Sequence, residues 1–299
     1  MPTRGYIGRF APTPSGALHF GSLIAACASY LDAKAHHGRW LVRIDDIDTP
    51  RVQPASITHI LHTLESFGFE WEGDIRYQSE HLHTYQHALD TLIDEQHAYA
   101  CDCSRKAIFN RQVDGIYDGH CRLRALTPRA DCAIRFNIAP YSTGPYLFHD
   151  AIQPQHQFDL TTLLGDFILR RRDGLFGYQL ACAIDDAEQS ITHVVRGSDL
   201  LNSALAQTLV LQALKRPTPH YAHHPIALSA EGIKLSKSAN SPALATHQAT
   251  HLLWQALDFL GQQPPNALQH ASLSELWPWA ITHWQRDAIA RQQQRTTTP

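Results

Sequence analysis

Long hydrophobic runs are missing from this 299-residue chain. None approaches the roughly 18 apolar residues that a membrane span needs, and the opening M-P-T-R-G-Y-I-G carries no apolar leader, so a cytoplasmic protein with no membrane partner is expected. Charge is scarce as well. Only 18% of residues are charged and the formal net charge is −3, which gives no global attraction to nucleic acid; any RNA contact must come from a local basic surface. No G-x-x-x-x-G-K-[ST] loop is present, which argues against a P-loop phosphotransferase. Repeats at solenoid or propeller periods are absent. The six cysteines do not space out as a disulfide framework, in agreement with a reducing compartment, and Cys27 and Cys182 read as small core residues. Low complexity is confined to the final R-Q-Q-Q-R-T-T-T-P, expected to be a loose tail.

What remains, 43% apolar residues in a chain long enough for a large core, describes a globular protein organised around Arg9 to Ser22. Tyr6 to Phe10 form a β-type run, Pro12, Pro14 and Gly16 stop it, and Leu23, Cys27, Tyr30 and Leu31 then recur at helical spacing up to Gly38. A strand entering a helix through a tight turn presents free N–H groups and the positive dipole end, where a phosphate can sit. His19 lies at that mouth. Arg39 to Ile44 reads as the next strand and runs into Asp45, completing a βαβ unit and implying a parallel sheet. Ligands of such sheets bind beyond the carboxyl ends of the strands, which places Arg9, His19 and Asp45 along one edge.

Ser56 to Phe67 and Glu80 to Gln96 follow as scaffold helices. From Tyr99 to about Asp159 the helical pattern gives way to loops containing Cys101, Cys103 and Cys121. Two thiolates one residue apart can clasp a tetrahedral zinc and a third can close a loop upon it. Tyr117, Asp118, His120 and Cys132 are all possible fourth donors, with His120 or Cys132 favoured by ordinary zinc chemistry. Such a metal would be structural, because a small loop-rich insertion has little core of its own. Ile134, Phe136 and Ile138 alternate as a strand, and Arg170 to Arg172 form a basic turn. Tyr178 to Ile184 reads as a buried strand ending at Asp185 and Asp186. Ile191 to Val195 reads as another, ending at Arg196, with a helix from about Asn202 to Leu214. Lys234 and Lys237 occupy a short turn, and two amphipathic helices, Leu252 to Leu260 and Leu273 to Trp284, follow.

Arg9 and Arg196 offer guanidinium forks suited to carboxylates, and Asp45 is placed to accept from an ammonium group. With a phosphate-binding turn and mobile lysines, this set points to attack of an amino acid carboxylate on the α-phosphorus of ATP. That reaction needs in-line positioning and positive charge where negative charge develops. L-H-F-G at Leu18 to Gly21 and K-L-S-K-S at Lys234 to Ser238 together resemble the paired HIGH and KMSKS signatures of class I aminoacyl-tRNA synthetases. With R-I-D-D-I-D-T-P-R, G-I-Y-D-G-H-C-R, R-R-D-G-L-F-G-Y-Q-L-A and V-R-G-S-D-L, the chain is similar over about residues 4 to 240 to the glutamyl-queuosine tRNA(Asp) synthetases, short paralogues of glutamyl-tRNA synthetase.

The resemblance implies an α/β fold: a Rossmann-type class I catalytic domain in two halves, 1–98 and 161–240, interrupted by a zinc-containing insertion at 99–160 and followed by a short helical region at 241–299. It implies activation of L-glutamate with ATP and Mg²⁺, without tRNA, and transfer to the queuosine base in the anticodon of tRNA(Asp). Glutamate contacts would fall on Arg9, Phe10, Ala11, Pro12, Thr13, Asp45, Tyr178 and Arg196. ATP would be met by His19, Gly21 and Lys237, with Lys234 beside it, and zinc by Cys101, Cys103, Tyr117 and Cys121. Asp45 departs from the family's usual Glu. A chain that stops at Pro299 suits the short paralogue, expected to be a monomer. The competing expectations are a truncated glutamyl-tRNA synthetase charging a tRNA 3′ end and a non-catalytic, zinc-stabilised tRNA-binding protein.

Overall fold

The computed structural model describes residues 5–112, 115–229, 232 and 243–296. The chain begins β1 (Ile7–Phe10), α1 (Phe20–Ala35), β2 (Arg39–Ile44), α2 (Pro54–Ser66), β3 (Arg76–Tyr77), α3 (Leu82–Asp94). β1, β2 and β3 form one parallel sheet in that order, with Ile7 opposite Arg39 and Arg43 opposite Arg76. Every residue of β2 after Arg39 is buried, as expected of a parallel strand covered on both faces. α1 is apolar nearly all round because it lies between the sheet and later helices; Leu23, Ile24, Cys27 and Leu31 are all buried. It stops where Gly38 folds back, its N–H donating to Ala33 O at 2.8 Å.

The loop-rich middle holds β4 (Ala98–Cys101), α4 (Arg105–Phe109), β5 (Ala133–Phe136), β6 (Tyr146–Phe148), β7 (His156–Phe158), α5 (Leu160–Leu163) and β8 (Ile168–Arg170). β4, β5 and β8 make an antiparallel sheet, and β6 pairs with β7 as a hairpin.

Next come α6 (Tyr178–Glu188), β9 (His193–Gly197), α7 (Leu201–Ala213), β10 (His220–His224) and β11 (Ile226–Leu228). β9 and β10 are parallel, and β9 lies beside β1: Thr192 N donates to Ile7 O at 2.9 Å and Ile7 N to Thr192 Oγ1 at 2.8 Å. The strand ends carrying Arg9, Asp45 and Arg196 therefore point the same way. α6 corrects the sequence reading of 178–184 as a strand. Leu180, Ala181, Cys182, Ala183 and Ile184 are all buried, and a short run buried on every side has no period by which to tell helix from strand.

The chain closes with α8 (Ala249–Phe259), α9 (Leu273–His283) and β12 (Gln294–Thr296). α8 and α9 pack on α1, and Trp277 donates from Nε1 to Phe67 O at 3.0 Å. Within the stretch expected to be a loose tail, β12 pairs in parallel with β11, and Arg295 donates to Phe259 O. Two large cores result, one around Trp40, Phe69 and Trp277, the other around Tyr85, Phe136 and Leu180. Among the described residues no helix is long and apolar enough to cross a membrane.

Candidate active site

A cavity of about 410 Å³ opens at the carboxyl ends of β1 and β9. Arg9, Phe10, Ala11, Pro12 and Thr13 line it from one side, His19 and Gly21 from the start of α1, and Tyr178 and Arg196 from the opposite half. Asp45 lines an adjoining cavity of about 410 Å³ that shares Ala11, Thr13, Tyr178 and Leu200 as walls and is bounded by Asp48, Arg51 and Arg171. Asp45 N donates to Pro12 O at 3.0 Å, so the ends of β1 and β2 are tied together at this point.

His19 caps α1, its Nδ1 accepting from Ser22 N at 3.3 Å. In a neutral ring this leaves the proton on Nε2, which lies 3.2 Å from Ser22 Oγ. A side chain at Gly21 would stand 3.2 Å from the imidazole carbon Cε1, so glycine lets the ring fold over the helix start. The N–H groups of the first turn and the dipole end thus face a cavity already supplied with guanidinium charge.

Arg9 is not a free fork. Its Nε and Nη2 each lie 3.2 Å from an oxygen of Asp186. Asp186 also accepts from Arg43 Nη1 at 2.6 Å, and although burial opposes it, Arg9 and Arg43 hold its pKa down at about 2. Arg43 Nε donates to Asp45 Oδ1 at 2.7 Å. Asp45 Oδ2 is buried with no hydrogen-bond partner, and burial pushes the carboxyl up to about 6 against the pull of Arg43. An unmatched carboxylate oxygen at a cavity wall is an acceptor waiting for a donor. Cys182, expected in apolar core, is buried but lies 3.7 Å from Arg9 Nη2 and 3.3 Å from Arg43 Nη2. Asp186, Arg43 and Cys182 escaped the sequence reading as parts of the site. Arg43 was the available signal, since a guanidinium alternating with Trp40, Val42 and Ile44 in a covered strand needs buried anions.

A second cluster lies in the loop-rich middle. The thiol sulfurs of Cys101, Cys103 and Cys121 all fall within 4.8 Å of one another, with Cys103 and Cys121 at 3.5 Å. Tetrahedral zinc with bonds of about 2.3 Å would set its sulfurs roughly 3.8 Å apart, so these three fit a shared metal. Tyr117 Oη sits among them, 3.3 Å from Cys101 Sγ and 3.5 Å from Cys103 Sγ, and accepts from Cys121 N at 2.9 Å. The donors favoured by ordinary zinc chemistry are elsewhere: His120 is exposed, and Cys132 lies in the second large core beside Arg129 and Asp131. Gly165 closes against this loop at φ +56°, where a side chain would meet Tyr117 O at 2.6 Å. Lys234 and Lys237 lie outside the described residues.

Comparison with known proteins fits this geometry. Residues 7–252 match the family described as "tRNA synthetases class I (E and Q), catalytic domain". The chain is 49% identical over 286 residues to the glutamyl-Q tRNA(Asp) synthetase of Ectopseudomonas mendocina, covering 96% of this chain and 95% of that one. It is 47% identical over 289 residues to the enzyme of the same name from Pseudomonas aeruginosa, covering 97% of each. The chain belongs to the class I tRNA synthetases, in the glutamyl-Q tRNA(Asp) synthetase branch. It is therefore a ligase, of a family that works with ATP and Mg²⁺. A crystal structure of a glutamate tRNA ligase from Elizabethkingia meningosepticum, in complex with its amino acid, superimposes with a TM-score of 0.80 at 24% identity, covering 99% of this synthetase and 67% of the ligase, and shares its fold.

Proposed function

We propose that this synthetase activates L-glutamate with ATP, without needing tRNA to do so, and transfers it to the queuosine base in the anticodon of tRNA(Asp). The observation that carries the reading is the convergence of Arg9, Arg196 and the unmatched Asp45 oxygen on adjoining cavities at the strand ends. Guanidinium groups suit the two carboxylates of glutamate, and Asp45 suits its ammonium. Tyr178 and the backbone of Phe10 to Thr13 complete the glutamate wall, while His19 and Gly21 face the nucleotide. The α-carboxylate oxygen attacks the α-phosphorus, the bond to the bridging oxygen breaks, and pyrophosphate leaves. His19 Nε2–H and the α1 N-terminus meet phosphate oxygens, and Lys237, with Lys234 beside it, meets the charge that develops between the leaving and remaining phosphates. Mg²⁺ supplies charge neutralisation on the pyrophosphate. A queuosine hydroxyl then attacks the acyl carbon and AMP departs.

The catalytic body is proposed as 1–98 with 161–240, and 99–160 as the insertion whose Cys101, Cys103, Tyr117 and Cys121 hold one structural zinc. Tyr117 would bind as its phenolate, a state that the metal's own charge favours. The six cysteines form no disulfide, which supports a cytoplasmic setting, and we take the active unit to be a monomer. The test is glutamylation of tRNA(Asp) isolated with and without queuosine, followed by nuclease digestion to locate the ester. Label confined to the anticodon fragment of the modified tRNA is expected. Label at the 3′ terminus, or on both tRNAs alike, would overturn the reading.

A further inference from the structure

Arg196 is held in the cleft wall by several neighbours. Its Nη2 donates to Gln207 Oε1 at 2.9 Å and Leu200 O at 3.3 Å, its Nη1 to Tyr178 Oη at 3.4 Å, and the Tyr221 ring lies 5.4 Å from the guanidinium carbon. The remaining donor, Nε–H, is directed to Nε2 of His223, which does not line the cavity, at 3.3 Å. His223 is the register partner of Arg196 on β10, so the contact is fixed by strand pairing.

An imidazole nitrogen can accept from Nε–H only if it carries a lone pair, which puts the ring proton on Nδ1. His223 Nδ1 lies 2.5 Å from Asp150 Oδ2. Asp150 cannot turn away, because its Oδ1 accepts from the backbone N–H groups of Ile152 at 2.9 Å, Gln153 at 2.8 Å and His223 at 3.1 Å. The side chains of Asp150 and His223 are both fully buried. Asp150 is 73 residues from His223 in sequence and reaches it because the chain at 150 bridges to Tyr221 beside β10. We infer that Asp150 and His223 are positioning residues for amino acid recognition: Asp150 selects the His223 tautomer that accepts from Arg196 Nε, and so fixes the guanidinium, with its one remaining Nη1–H, at the cleft wall. The opposite tautomer would set one N–H against another and turn the fork aside.

This inference rests on the proposal that Arg196 contacts glutamate, and the variants separate the two. In His223→Gln the amide oxygen reaches about where Nε2 stands, keeping an acceptor for Arg196. In His223→Asn the shorter amide faces Asp150 and leaves Nε–H unmatched. Glutamate-dependent ATP–pyrophosphate exchange should show KM for glutamate raised about tenfold by His223→Asn and by Asp150→Asn, with KM for ATP nearly unchanged, and largely restored in His223→Gln. A merely structural role predicts that Gln and Asn are equally harmful and that both KM values follow the fall in Tm. That pattern would overturn the inference. Arg196→Gln is the control. If it leaves KM for glutamate unchanged, the site reading itself fails; if it raises KM while His223→Asn does not, only the positioning role fails. Imidazole ¹⁵N spectra of the unmodified protein decide the matter even where variants do not fold: His223 protonated on Nδ1 alone is expected, and a ring protonated on Nε2 would contradict it.

Discussion

Beneath the cleft, Arg9, Arg43 and Arg76 are matched against Asp45, Asp185 and Asp186, and apart from a partly exposed Arg76 these side chains are almost wholly shielded from water. In the loop-rich middle, Cys101, Cys103, Tyr117 and Cys121 are brought equally close, yet the core around them amounts to Ile108 and a few partly buried neighbours. The first cluster lies between two large cores, and apart from the unmatched Asp45 Oδ2 its charges are paired. The second has no such clamp, and the proposed zinc would supply the cross-link that packing does not. A folded interior can therefore hold charged side chains in place by pairing, whereas the thinly packed middle region would need the proposed metal to do the same.

Arg43→Leu should give the largest effect. It leaves Asp45, Asp185 and Asp186 with one guanidinium fewer in a dry interior, and urea unfolding should show a loss of about 3–5 kcal/mol. A loss below about 1 kcal/mol would mean that the cluster is not held by charge pairing. Next in size is metal removal. If zinc is bound as proposed, chelation or Cys103→Ser should remove it and open residues 99–125 to proteolysis while the tryptophan-rich core still melts near its original temperature. Equal collapse of both regions would erase the contrast.

The pH response separates binding from folding within the paired cluster itself. Asp45 titrates at about 6 when folded against an ordinary 3.8, so the folded protein takes up its proton more readily than the unfolded chain. Its contribution to stability is accordingly full below about 3.8 and lost as pH rises through about 6. The proposed contact of Asp45 with the glutamate ammonium runs the other way, since it needs the ionised form: KM for glutamate should rise as pH falls through about 6, and Asp45→Asn should flatten that limb. A profile that is flat in the unmodified protein would remove Asp45 from the ammonium contact. The smallest effect belongs to the thin region. Ser104 Oγ caps α4 by accepting from Ala107 N at 3.1 Å, and Ser104→Ala should cost ~1 kcal/mol locally, seen as faster amide exchange in 105–110 with the global Tm almost unmoved.

β2 was legible from sequence to its end residues, and β1, α1 and α7 nearly so, because each carries both a pattern and a stop signal. α6 was not, although four of its eleven residues after Gly177 are alanine or leucine, the better helix formers. Its burial hides the period, and Asp185 and Asp186, read as the end of a strand, stand on its last turns against Arg43. C-x-C spacing announced the thiol cluster, but nothing local told Tyr117 from His120 or Cys132, since that choice depends on which loop faces inward. The pairing of Asp150 with His223 was likewise out of reach, since it joins residues 73 apart in sequence.

The most direct test of the central claim is glutamate-dependent ATP–pyrophosphate exchange in the absence of tRNA, with Lys237→Ala alongside. The account predicts exchange with the unmodified protein, and its loss by about 10²–10³-fold in the variant. No exchange with glutamate, either alone or with tRNA(Asp), would contradict adenylate chemistry at this cleft.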